Sequence, residues 1–172
     1  MARTSVVRRE LPLLLAGLGA RSLLDAPCGD FNWMREVDLG GVDYTGADVV
    51  AELIERNQRL YGGEGRRFVT ADLTRDALPR ADLILCRECL VHLSFRDARA
   101  VLRNFRRSGS TYLLVTTHAK VRENEEIATG DWRPLNLQLP PLNFPPPLRL
   151  LVEDEELGKC LGLWRLDALP HE

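Results

Sequence analysis

At 172 residues, with 45% apolar and 28% charged residues, the chain has the composition of one globular domain, able to bury roughly two-thirds of its unfolded surface. A formal charge of −2 excludes a general attraction to phosphate backbones, and no apolar run approaches the roughly 20 residues that cross a bilayer. Four cysteines, Cys28, Cys86, Cys89 and Cys160, make no secreted disulfide framework; with arginine replacing nearly all lysine except Lys120 and Lys159, they suit a cytoplasmic protein of a GC-rich bacterium.

Leucines at helical spacing predict an amphipathic helix over 6–18, within an N-terminal segment 1–20. Arg8 and Arg9 before an apolar stretch have the ingredients of a secretory leader, but a core strand at 22–24 follows at once, so a helix is expected. A short helix suits 31–37, and 43–47 reads as the second strand. Over 49–61, Val50, Leu53, Ile54 and Leu60 share one side of a helix that Gly62 and Gly63 end. The third strand is 67–70, and a turn containing Pro79 separates it from the fourth at 82–86. Ser94 is placed to cap a helix running to Arg107, which Gly109 stops, and 111–117 is the fifth strand. Such alternation predicts an α/β fold with right-handed, parallel crossovers. Six of the ten prolines (Pro134, Pro140, Pro141, Pro145, Pro146 and Pro147) then fall within 134–147 and exclude a regular helix. The apolar runs 148–152 and 161–166 read as a closing pair of strands at one sheet edge. The expected architecture is one domain over 1–172: a doubly wound, mostly parallel seven-stranded sheet with helices on both faces.

The chemistry lies at the strand ends. Asp25-Ala26-Pro27-Cys28-Gly29-Asp30-Phe31 closes an apolar run on an acid and a tight small-residue turn, and Tyr44-Thr45-Gly46-Ala47-Asp48 closes another on a second acid. Open parallel sheets bind ligands outside these carboxyl ends, and an acid at the tip of strand two can accept from two ribose hydroxyls. An adenosine-type cofactor fits. A nicotinamide dinucleotide would need three glycines in the first turn, where Asp25 and Pro27 stand instead. Each acid also has a plainer role: Asp25 capping a turn, Asp48 capping the next helix, Asp72 closing a turn.

With Ala71-Asp72-Leu73 after strand three, and Asp82-Leu83-Ile84-Leu85-Cys86 and Leu90-Val91-His92-Leu93 around the end of strand four, these segments resemble class I S-adenosylmethionine-dependent methyltransferases over about 11–166. That family's first turn is often D-x-G-x-G-x-G. Gly29 holds the middle glycine position, while Pro27 and Phe31 occupy the outer two; a side chain at the last one is expected to crowd the space above the cofactor. The resemblance implies a Rossmann-like fold and S-adenosyl-L-methionine as cofactor. The residues implied to hold it are Asp25, Ala26, Pro27, Cys28 and Gly29 in the turn, Asp48 and Val49 at the ribose, and Asp72 and Leu73 at the adenine. Arg87 is placed either to reach the cofactor carboxylate or an anionic acceptor, or to pair with a neighbouring acid.

His92 and His118 follow strands at the same edge and suit removal of a proton from a hydroxyl or ammonium, with a structural role as the alternative. Trp132, Arg133, Asn136 and Asn143 sit in the proline-rich segment 118–147, expected to bind the acceptor together with Asp30 and Trp33. The expected function is methylation of a small molecule, at oxygen of a secondary metabolite or sugar-like acceptor. The alternatives are a catalytically degenerate binding subunit, which Pro27 and Phe31 favour, or a methyltransferase of RNA or protein. Arg96, Arg99, Arg103, Arg106 and Arg107 line a helix without aromatic interleaving, so a solvated face is expected and no nucleic-acid partner. The Cys86/Cys89 pair lacks a second pair of ligands, and no metal is expected.

Overall fold

The computed structural model describes residues 4–170, so the first three residues of the segment 1–20 and the last two of the domain 1–172 lie outside the described residues. The strands are β1 (Ser22–Asp25), β2 (Asp43–Asp48), β3 (Arg66–Thr70), β4 (Leu83–Cys86), β5 (Tyr112–His118), β6 (Arg149–Asp154) and β7 (Lys159–Arg165). The helices of more than one turn are α1 (Ser5–Leu18), α2 (Ala51–Tyr61) and α3 (Phe95–Arg107). One sheet forms in the order β3-β2-β1-β4-β5-β7-β6. The first five strands are parallel, and β7 runs antiparallel between β5 and β6. The expected closing pair is therefore present at the edge. Chain order reverses between β1 and β4, which opens a crevice beyond their carboxyl ends.

Alternation along the strands divides the core in two. Leu24 and Ile84 pack on the α3 face with Val101 and Phe105, while Leu23, Leu83 and Leu85 pack on the other face with Leu11 and Leu15 of α1 and Ile54 of α2. All four residues of β4 are buried, as expected of a strand covered on both faces. On the α3 face the proline-rich segment takes the place of a further helix, sinking Leu135, Leu137, Leu142 and Phe144 against Trp164 of β7. Trp164 Nε1 donates to the Pro145 carbonyl at 2.7 Å. Prolines exclude a helix there, yet the segment is packed core over much of its length.

Two expected elements come out shorter, each for a local reason. The helix expected over 31–37 is one 3-10 turn, Met34–Glu36, because Phe31 has φ 58 and the Asp30 carboxylate turns back to accept from the Asn32 amide. The β4 ladder begins at Leu83 because the Asp82 carboxylate is turned to β1, accepting from the amides of Arg21 and Ser22. α2 ends at Gly62 as expected, and with φ −65 this glycine is there for space: a Cβ would run into the Gln58 carbonyl oxygen. No helix among the described residues is long and apolar enough to cross a membrane.

Candidate cofactor and acceptor site

The turn after β1 is stitched into its neighbours. The Ala26 amide donates to the Leu85 carbonyl and the Cys28 amide to the Ala47 carbonyl, each at 2.9 Å, so the turn bridges β4 and β2. Gly46 permits this approach, since a Cβ there would lie 3.0 Å from Cys28 and 2.7 Å from the Phe68 ring. Asp25, 2% exposed, accepts from the Tyr44 hydroxyl at 2.8 Å. Burial disfavours its charged form and raises its pKa to about 7. Asp48 binds the turn from the next strand: Oδ2 accepts from the Gly29 amide and Oδ1 from the Val50 amide, both at 3.1 Å. It therefore fixes the turn and the entrance of α2 together.

Phe31 corrects an expectation. It adopts the left-handed backbone (φ 58) that a glycine would supply, and its ring drops into the core among Tyr44, Tyr61 and Phe68, with centroids 5.1–5.2 Å away. The ring is 1% exposed and crowds nothing above the turn.

Beyond the strand tips lies an open cavity of about 590 Å³. Pro27, Asp48 and Val49 form one part of its wall, and Asp72, Leu73 and Thr74 after β3 form the next. Glu88, Cys89, His92 and Leu93 after β4 close the opposite end; Arg96, Asp97 and Val101 of α3 and Thr129 of the long loop complete it. The Asp72 carboxyl is held below its usual pKa by the Thr74 hydroxyl and amide, and that of Asp97 by the Thr129 hydroxyl. Four carboxylates line this wall; with Asp72 paired to Arg75, Asp97 to Arg96 and Glu88 to Lys159, it offers hydrogen-bond acceptors more than net charge.

The expected cofactor residues divide accordingly. Pro27, Asp48, Val49, Asp72 and Leu73 line the cavity, whereas Asp25, Ala26, Cys28 and Gly29 build the turn without lining it. Arg87 is turned away, its Nε 3.0 Å from Glu153 Oε1 and its guanidinium over the Trp33 ring at 5.6 Å. The two histidines differ in kind. His92 lines the cavity, and its Nδ1 lies 2.9 Å from the Asp131 carbonyl, which can only accept; Nδ1 thus carries hydrogen and Nε2 is left as the basic nitrogen. His118 is 2% exposed and its Nδ1 accepts from the Leu135 amide, so Nε2 carries the hydrogen and the ring has no free basic nitrogen. Burial lowers its pKa, and it does not line the cavity. The structure thus makes His118 a packed, hydrogen-bonded residue.

The expected acceptor residues do not converge on the cavity. Arg133 is internal, donating through Nη1 to the Leu93 carbonyl at 2.7 Å and lying 4.7 Å over the Phe95 ring, which makes it a brace. Asn136 is also buried, donating to the Val121 carbonyl and accepting from the Gln138 amide. Asp30 and Asn143 are exposed turn residues, and Trp33 carries Arg87. Trp132, half exposed, stands edge-on to His118 at 6.2 Å. Glu88, Cys89, Thr74 and Thr129 line the cavity unforeseen. Asp97, three residues after the Ser94 cap, was legible only as the first turn of a helix. Among the described residues no group of three or more His, Cys, Asp or Glu side chains is arranged to hold a metal ion.

A doubly wound sheet with an acid-walled crevice at its switch point defines a nucleoside-cofactor fold of the methyltransferase kind. The family model described as "Methyltransferase domain" matches residues 2–152, and the chain belongs to that family. Solved structures share the fold at low identity. Human N-acetylserotonin methyltransferase, in complex with SAM, superposes with a TM-score of 0.67 at 14% identity, over 94% of this chain and 52% of that one. Burkholderia thailandensis 1,6-didemethyltoxoflavin-N1-methyltransferase, with bound 1,6-didemethyltoxoflavin and S-adenosylhomocysteine, gives 0.65 at 20%, over 94% and 78%. TnmH gives 0.69 at 17%, over 94% and 54%. The chain thus spans about half the length of two of these three. No curated protein sequence matches it.

Proposed function

We propose that the protein transfers a methyl group from S-adenosylmethionine to an oxygen of a small molecule. The observation that carries this reading is the cavity at the β1/β4 switch point, walled by Asp48, Asp72, Glu88 and Asp97. When bound, the cofactor supplies a methyl group on a cationic sulfonium, and the carboxylates of Asp48 and Asp72 would accept from its hydroxyl and amino groups, where a dinucleotide's phosphates would meet only further acceptors. Asp48 is the ribose ligand. Although each of its oxygens accepts one backbone amide, a carboxylate has about four acceptor sites, so two remain for hydroxyls. Asp72 and Leu73 take the adenine end, and the β4 end is left for the acceptor.

The protein's main contribution is to hold an acceptor oxygen in line with the methyl group, where proximity alone removes much of the barrier. His92 Nε2 takes the hydroxyl proton, a step worth about 10²–10⁴-fold where the acceptor must lose one. Trp132, half exposed three residues beyond the cavity-lining Thr129, is the loop residue for acceptor contact. Burial of Phe31 in the core removes one of the two turn residues, with Pro27, on which the degenerate, non-catalytic reading rests.

Calorimetry with S-adenosylmethionine, its demethylated product and NAD tests the reading: heat is expected with the first two, and heat with NAD alone overturns it. His92→Ala should cut turnover by about 10²-fold or more and leave cofactor affinity within about threefold. Full turnover would leave a mechanism of positioning alone.

A further inference from the structure

This inference rests on the methyl-transfer reading and names the kind of acceptor it serves. Among the described residues, Glu88 is the cavity-lining side chain with left-handed backbone, φ 54. A residue with a Cβ adopts that conformation at a cost of about 1 kcal/mol or more, and it persists where the surroundings impose it. They do so here. The Glu88 amide donates to Thr116 Oγ1 of β5 at 2.9 Å, and its Oε1 pairs with Lys159 Nζ of β7 at 2.6 Å. Lys159 also lies 3.6 Å from Glu153 Oε2 of β6, whose other oxygen accepts from Arg87 Nε at 3.0 Å.

Two acids and two bases thus run in an alternating chain from the antiparallel hairpin to the cavity. Its interior is sealed, since the Glu153 side chain is only 2% exposed. At the near end Glu88 Oε1 is buried against Lys159, while the side chain as a whole is 34% exposed. What the cavity meets is therefore the rest of a carboxylate whose position is fixed from behind. Counted with Arg87 and Glu153 this chain of charges is neutral, so the wall discriminates through the exposed carboxylate oxygen and not through net charge. A carboxylate accepts hydrogen bonds and donates none.

We propose that Glu88, held in place by Lys159, selects the acceptor: it receives a hydrogen bond from a hydroxyl or amine group and rejects molecules presenting a carboxylate or phosphate at the β4 end. Lys159 acts as its positioning residue.

The test uses the complex with S-adenosylhomocysteine, titrated calorimetrically with benzylamine, benzyl alcohol and benzoate, which share a ring and differ in the polar group. Benzylamine and benzyl alcohol should bind about tenfold or more tighter than benzoate. In Glu88→Gln that order should shrink to within about threefold, with S-adenosylhomocysteine affinity unchanged. Lys159→Met keeps the carboxylate but not its anchor, and should weaken the amine and the alcohol while benzoate stays excluded. Equal binding of benzoate to the wild type, survival of the order in Glu88→Gln, or binding of none of the three overturns the proposal. Loss of S-adenosylhomocysteine affinity in Glu88→Gln also overturns it, by moving Glu88 into the cofactor subsite. Failure of the wild type to bind S-adenosylhomocysteine is a separate result that removes the methyl-transfer reading itself.

Discussion

At the scale of single residues, the acids of the strand tips serve the fold and the site at once. Asp48 accepts from two backbone amides, so Asp48→Ala loosens the turn beside the cavity and, on the proposed reading, also removes the ribose ligand. Cofactor affinity should fall by about 1.5–3 kcal/mol, measured calorimetrically on the folded variant. Unchanged affinity would make Asp48 a structural acid only. Asp25 behaves differently because burial favours its neutral form. The folded chain keeps a proton, up to a pKa of about 7, that the unfolded chain releases near 3.8. Below the lower value both states hold the proton and nothing is lost; between the two, each rise in pH costs stability, and above the upper value the loss is complete. Urea midpoints of the wild type should carry this decline, whereas Asp25→Asn should flatten it and still accept from the Tyr44 hydroxyl. An unchanged pH profile in the variant would show that Asp25 is ionised in the folded protein.

At the scale of elements, the long loop after β5 is bound to the start of α3 by side chains. The Phe95 amide donates to the Glu126 carboxylate at 3.0 and 3.2 Å, the Ser94 amide donates to Thr129 Oγ1 at 3.0 Å, and Thr129 Oγ1 donates to Asp97 at 2.6 Å. A carboxylate at a helix N-terminus meets unpaired amides and the positive end of the dipole. Thr129, Asp97 and Arg96 are also cavity wall, so this junction ties loop order to site shape. Glu126→Ala should lower stability by about 1 kcal/mol in urea unfolding and weaken S-adenosylhomocysteine binding, though Glu126 does not line the cavity. Loss of stability with no change in binding would separate the junction from the site.

For the whole molecule, the decisive feature is that β7, late in the chain, lies between β5 and β6. It buries Leu161, Leu163 and Trp164 and supplies Lys159 to the chain of charges behind Glu88. The family model ends at residue 152, but a chain cut there would leave β5 as a bare apolar edge and β6 without its ladder. We expect residues 1–152 to give no cooperative urea transition, read by far-UV circular dichroism. A cooperative transition would show that the parallel half folds alone.

The sequence by itself determined the alternation of strands and helices, the edge pair after the prolines, and the acids at the strand tips. These are local signals: a four-residue apolar run such as 83–86, the Ser94 cap, an acid closing each of the first two strands. Only the tertiary structure decided which polar side chains meet. His92 and His118 look alike in the sequence, yet one donates from Nδ1 to a carbonyl at the cavity and the other accepts at Nδ1 inside the core. From the sequence Phe31 is expected to crowd the cofactor and Arg133 to bind the acceptor, but the Phe31 ring packs among aromatic rings in the core, and Arg133 is held inside by its bond to the Leu93 carbonyl and its stacking on Phe95. Glu88 carried no signal, since its partner Lys159 lies 71 residues away and only the antiparallel entry of β7 brings them together.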